Sequence, residues 1–178
     1  NYSHGQYNFT TGAARDTVGP SLIGLTIPTT FDLSAGSINA TFGAQVEDNV
    51  DGSGVESVTL FLDKPIYRGF SATNFKIGGF NGSGSDTFLD GTPTTANTTF
   101  TLSNLTNSGV YNVTQAWVTD IAGNQTSYTA AQMQSLGIKT SFTVTGSTAP
   151  DTVGPSLIGL TIPTTFDLSA GSINATFG

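Results

Sequence analysis

The stretch GVYNVTQAWVTD, residues 109–120, sets apolar against polar side chains along its whole length. In an extended chain successive side chains point to opposite faces, so such a run reads as a half-buried β-strand. It ends on DIAGN at 120–124, where Asp, Gly and Asn suit a tight reversal. Six further runs show the same alternation between Gly, Asn and Asp punctuation: SLIGLTI (21–27), SINATFGAQVE (37–47), SVTLFLD (57–63), NFKIGGF (74–80), TTFTLSN (98–104) and KTSFTVTG (139–146). About seven strands predict an all-β chain folded as an antiparallel β-sandwich. TAAQMQSLG (129–137) is the one helical candidate, with Ala and Gln favouring helix and Gly137 ending it.

The segment that opens this set of strands occurs twice. DTVGPSLIGLTIPTTFDLSAGSINATFG fills 16–43 and returns letter for letter at 151–178, an offset of 135 residues. Domains that merely share a fold drift apart in sequence, so this identity points to a tandem array. At the same offset YNFTTGAAR (7–15) lies against FTVTGSTAP (142–150), pairing Tyr7 with Phe142. The expected organisation is the last strand of a preceding repeat at 1–15, one complete repeat at 16–150, and the first strands of a following repeat at 151–178. The unit is too long for a solenoid repeat and long enough to bury a core of its own.

Composition narrows the function. The formal charge is −7 and only 10% of residues are charged, so the chain would repel a phosphate backbone and nucleic acid is disfavoured as a partner. There is no cysteine, which excludes disulfides, thiolate metal sites and a cysteine nucleophile. No run is long and apolar enough to insert in a membrane. The one histidine, His4, precedes the complete repeat, so no Ser-His-Asp arrangement fits within it. A non-enzymatic role is expected. Nine of the twelve asparagines stand in N-x-S/T triplets, which fit an exported chain but also arise readily in a sequence this rich in Ser and Thr.

Two segments carry a family resemblance. LSNLTNSGVYNVTQAWVTDIAGNQT (102–126) resembles the end of bacterial Ig-like and fibronectin-type repeats, where G-x-Y leads into a strand closing on D-x-A-G-N. VEDNVDGSGVESVTLFLD (46–63) resembles their earlier acidic turn, and Asp16 with Pro20 matches a D-T-x-x-P opening. Together they look like the extender repeats of large secreted or surface adhesins, which implies an Ig-like sandwich in tandem and an extracellular or cell-surface location. Tyr111 is then expected at a tyrosine corner and Trp117 in the core. The segment from Pro65 to Thr99 is longer than in simple repeats of this kind.

Strands of an antiparallel sandwich alternate direction, so their loops alternate between two poles. Asp16, the turn holding Glu47, Asp48 and Asp51, and the turn holding Asp120 and Asn124 should therefore meet at one pole. Calcium takes six to eight oxygen ligands from carboxylates, amides and backbone carbonyls, which such turns supply. These six residues form the expected calcium site, against the plainer reading that the same side chains only brace their own turns. Asp86 and Asp90 offer a weaker second cluster, and Lys64, Lys76 and Lys139 are formal candidates for an isopeptide bond to an Asn.

The expected function is a structural extender repeat, rigidified by calcium at inter-repeat junctions and partnered by neighbouring repeats or other copies of itself. Two alternatives stand beside it. One is a glycan- or surface-binding module, which needs an exposed aromatic or a flat Thr-rich face. The other is a filament subunit, in which the apolar segment from 156 onward pairs with the strand at 5–11 of another copy.

Overall fold

A computed structural model describes residues 16–50, 52–79, 93–148 and 156–162, with scattered positions from 165 to 174. The proposed flanking strand at 1–15, and the Asp86 and Asp90 cluster, lie outside the described residues. The described residues are mostly β-strand: β1 (Ser21–Thr26), β2 (Thr30–Asp32), β3 (Ile38–Glu47), β4 (Val55–Tyr67), β5 (Ser71–Gly78), β6 (Thr94–Leu102), β7 (Gly109–Asp120), β8 (Gln125–Thr129) and β9 (Ser141–Thr145), with one short helix, α1 (Ala130–Ser135). The seven expected strands are all present, β7 with the expected ends and the other six with shifted ends, and β2 and β8 are additional.

One sheet has the order β1-β3-β6, the other β2-β9-β7-β4-β5 with β8 also on β7. All pairings are antiparallel except β2 with β9. The chain changes sheet at Pro28: β1 before it joins one sheet and β2 after it joins the other. Pro28 supplies no N–H for a ladder, so a change of sheet there costs little pairing. The chain that follows β7 also returns to it in two pieces. β8 pairs with β7 at 115–119 and β9 pairs with it at 109–112, with α1 looping out between them. Thr129 caps the helix, its hydroxyl accepting from Gln132 N–H while the Gln132 side chain reaches back to the Thr129 N–H, and Met133 is buried beneath it. Gly137 follows at φ +75°, where a residue with a Cβ would be strained.

The two sheets meet over one apolar core centred on Phe42 of β3. Its ring lies 4.6 Å from Phe75, 5.4 Å from Phe31, 5.5 Å from Phe142 and 5.6 Å from Phe100, so one side chain touches strands of both sheets. Full burial of such a side chain stabilises by about 1.5–3 kcal/mol. Tyr111 is fully buried, stacked on Phe142 at 5.2 Å, and its hydroxyl donates to the Asn107 carbonyl at 2.8 Å. This is the backward hydroxyl-to-backbone bond expected of it.

Trp117 is not in the core. Tyr111 and Val113 face inward, but from Ala116 onward it is Ala116, Val118 and Asp120 that do. The change of phase lies where Leu62 pairs with Val113 and the adjacent Phe61 with Gln115, two steps on β7 against one on β4. An extra residue in one strand moves every later side chain to the opposite face. Trp117 therefore stands outward, edge-on to Phe61 at 4.6 Å.

The ends of the described unit are at opposite poles. Asp16 lies beside Asp120, at the end of β7, whereas Ser147 and Thr148 bond to Ser108 and Asn104 near its start.

Candidate metal centre

Three chain segments converge where the chain enters the unit. β3 delivers Asp48, β7 delivers Asp120, and the segment before β1 delivers Asp16, each offering a carboxylate oxygen within 4.8 Å of the others. Asp48 and Asp120 are buried, at 6% and 1% exposure, and Asp16 is half-buried.

Local hydrogen bonds fix each carboxylate. Asp16 accepts from Val18 N–H at 3.1 Å and Ser53 N–H at 2.9 Å; Asp48 accepts from Asn49 N–H at 3.0 Å and Gly54 N–H at 2.7 Å. Asp120 accepts from the backbone and side-chain nitrogens of Asn124, both at 2.7 Å. Gly52 lies so close over Asp48 that an added Cβ would come within 2.6 Å of its carboxyl carbon. Gly54 adopts φ +82°, the left-handed turn that aims its N–H at Asp48.

The electrostatics differ within the group. Hydrogen bonds from Val18 and Ser53 hold the Asp16 carboxyl below its ordinary range. Burial pushes Asp48 up, against the lowering by Gly54 and Asn49, and the charges of Asp16 and Asp120 push it the same way. Among the described residues the one ion pair between side chains is Lys76 with Glu56, elsewhere, so no lysine or arginine neutralises these three acids. Their oxygens keep lone pairs beyond those used by N–H donors. Crowded carboxylates of this kind are hard ligands suited to Ca²⁺ or Mg²⁺, and unsuited to metals that favour sulfur.

The structure thus brings together Asp16, Asp48 and Asp120. Asn124 is also present, but it turns its amide nitrogen inward, donating to Asp120 and to the Asp16 carbonyl at 3.2 Å. Glu47 is outside the cluster: the alternation that carries Val46 and Asp48 inward leaves it on the other face. Asp51 lies outside the described residues. Ser53, which is not among the expected ligands, ties the entry segment and the turn after β7 together, its N–H on Asp16 and its Oγ accepting from Ala122 N–H at 2.9 Å. The signal was present in DGSG, where two glycines free the backbone N–H groups of a turn.

The lysines have other partners. Lys76 pairs with Glu56 at 3.2 Å, Lys139 donates to the Ile27 carbonyl and Thr29 hydroxyl, and Lys64 lies 4.3 Å from the centre of the Tyr111 ring. Among the described residues no helix is long and apolar enough to cross a membrane. No protein-family model, curated protein or solved structure matches the chain.

Proposed function

We propose that this chain is a segment of a tandem array of Ig-like β-sandwich repeats that extends an extracellular, adhesin-like protein. Calcium at the Asp16, Asp48 and Asp120 cluster stiffens each repeat where the previous one joins it. The observation that carries this reading is the verbatim return of 16–43 at 151–178, in a unit whose ends lie at opposite poles. Copies joined through such poles lengthen a chain instead of folding it back.

The Ig-like type is supported by the strand order, by the change of sheet between β1 and β2, and by the Tyr111 hydroxyl bond to Asn107. The extracellular placement rests on the resemblance at 46–63 and 102–126. Calcium is supported by three converging carboxylates with no cationic side chain among them. Bound at a hundred times its dissociation constant, an ion specific to the folded form stabilises by about 2.7 kcal/mol.

Chains carrying one, two and four copies of 16–150, measured by small-angle scattering with calcium, should lengthen by a constant increment per copy. A dimension that fails to grow with copy number overturns the array reading. The melting temperature should fall in EDTA; an unchanged value, with no metal found by mass spectrometry, removes calcium from it.

A surface-binding role is favoured by a different observation. Asn39 pairs with Thr101, Thr41 with Thr99 and Gln45 with Thr95, which places a ladder of exposed uncharged polar side chains on the outer face of β3 and β6. Lysines at Thr41 and Thr99 should abolish retention on polysaccharide-coated beads if this face binds glycan; equal retention of variant and wild type excludes it.

A further inference from the structure

We propose that consecutive units dock end to end, the apolar turns at the exit pole of one packing against the apolar turns that surround the acidic cluster at the entry pole of the next. The inference rests on the array reading and names the surface on which each copy meets its neighbour.

The chain itself sets how close the two poles must come. Thr148 is tied to the exit pole, its N–H and its Oγ both donating to the Asn104 carbonyl at 3.1 Å. Position 151 opens the second copy of the 16–43 sequence, so it corresponds to Asp16. Three residues, fully extended, span at most about 10–11 Å. Asp16 is itself fixed at the entry pole, bonded to Ser53 N–H at 2.9 Å and with its carboxylate within 4.8 Å of those of Asp48 and Asp120. A following unit folded like the described one therefore starts within that reach of Thr148, which leaves space for the side chains of two facing surfaces and little else.

Both surfaces carry apolar side chains that the unit itself leaves exposed. At the entry pole these are Val18, Val50 and Ile121, one on each of the three segments that supply Asp16, Asp48 and Asp120. At the exit pole they are Leu105, next to the Asn104 that holds Thr148; Tyr67, whose carbonyl accepts from Ser103 N–H at 2.8 Å; and Phe70, on the turn between β4 and β5. Bringing such surfaces together removes apolar area from water, and in repeat arrays contacts of this kind couple each unit to its neighbour. Charge does not oppose it: near the exit pole two acids, Asp32 and Asp63, are matched by two bases, Lys64 and Arg68, so the three acids of the entry pole meet no net negative surface.

The described unit closes its core with its own strands, so two copies of 16–150 joined in series test the contact. In saturating calcium the pair should tumble as one elongated body by NMR relaxation, and should melt roughly 2–8 °C above a single copy. Leu105→Asp in the first copy places a charge at the junction, whereas in the second copy it faces solvent. Ile121→Asp does the reverse. Each should free the two units to reorient, and remove the gain in melting temperature, only in the copy where it lies at the junction. Equal effects from the two placements, or independent tumbling of the unaltered pair, overturn the proposal. A pair that is elongated by small-angle scattering while its units tumble independently loses the contact and keeps the array. Circular dichroism of the single copy checks that each variant folds; Leu105→Ser and Ile121→Ser replace any that does not, with the same outcomes.

Discussion

The same seven residues, SLIGLTI, occur in this molecule in two conditions. At 21–27 the first six form β1 and Ile27 follows it, with Leu22 at 3% and Ile27 at 7% exposure; at 156–162 they form no strand, and the equivalent Leu157 and Ile162 are 80% and 56% exposed. Local propensity is identical in the two places and cannot account for the difference. What differs is the partner: β3 offers the first copy a ladder and an apolar seat under Tyr128, Val46 and the Phe42 core. β-propensity is a fit to a pleated, half-buried surface, and without that surface the same residues hold no strand.

The largest effect that tests this contrast is side-chain truncation. Leu22→Ala should cost about 2–5 kcal/mol of unfolding free energy, the range for a buried leucine, whereas Leu157→Ala should stay within roughly 0.5 kcal/mol. Denaturant titration gives both numbers. Amide exchange should agree, with the β1 N–H groups that donate to β3 protected and the same positions in 156–162 exchanging near the rate of an unstructured chain. Equal costs at the two leucines would break the comparison.

A smaller effect isolates one bond of the seat. The Tyr128 hydroxyl accepts from Leu22 N–H, an acceptor that Leu157 does not have at its own position. Tyr128→Phe should cost about 0.5–1.5 kcal/mol, the net value of a typical hydrogen bond, and should speed exchange at Leu22 while leaving Leu157 unchanged. Exchange at Leu22 equal to wild type would show that β3 alone holds the strand.

How far the sequence could carry the reading follows the same logic of partners. Strands that bury one face announced themselves by alternation, as β3, β4 and β7 did. β8 carries no such signal because QTSYT buries no side chain fully, and β2 carries none because TFD is too short to show a period. The outward turn of Trp117 is not legible in β7 alone, because the bulge that produces it depends on pairing with β4. At the site, alternating strand direction was enough to gather Asp16, Asp48 and Asp120. It could not separate Glu47 from Asp48, which needed the phase of β3, nor show that Asn124 presents nitrogen, which needed the hydrogen-bond network.

The smallest expected effect concerns the pole through which the first copy is entered. Asp16, five residues before Ser21, is pinned to Ser53, while Asp48 beside it is buried among like charges. Their pH dependences have opposite signs. Because the Asp48 pKa is raised on folding, the folded chain binds more protons than the unfolded one above pH 3.8, so stability falls as pH rises through the folded value. Because the Asp16 pKa is lowered, its contribution is present above the unfolded value and is lost as pH falls through the folded one. In EDTA, acidifying from pH 7 toward the Asp48 value should therefore raise the melting temperature, and further acidification below 3.8 should lower it as Asp16 releases its hold on β1. Asp48→Asn should remove the rise and keep the fall; calcium, by favouring the ionised form, should also remove the rise. Amide exchange at 156–162, which has no such pole in the described structure, should follow only the intrinsic pH dependence of an open chain. A melting temperature that changes with pH identically in wild type and Asp48→Asn would show that the buried carboxylate does not govern the entry to β1.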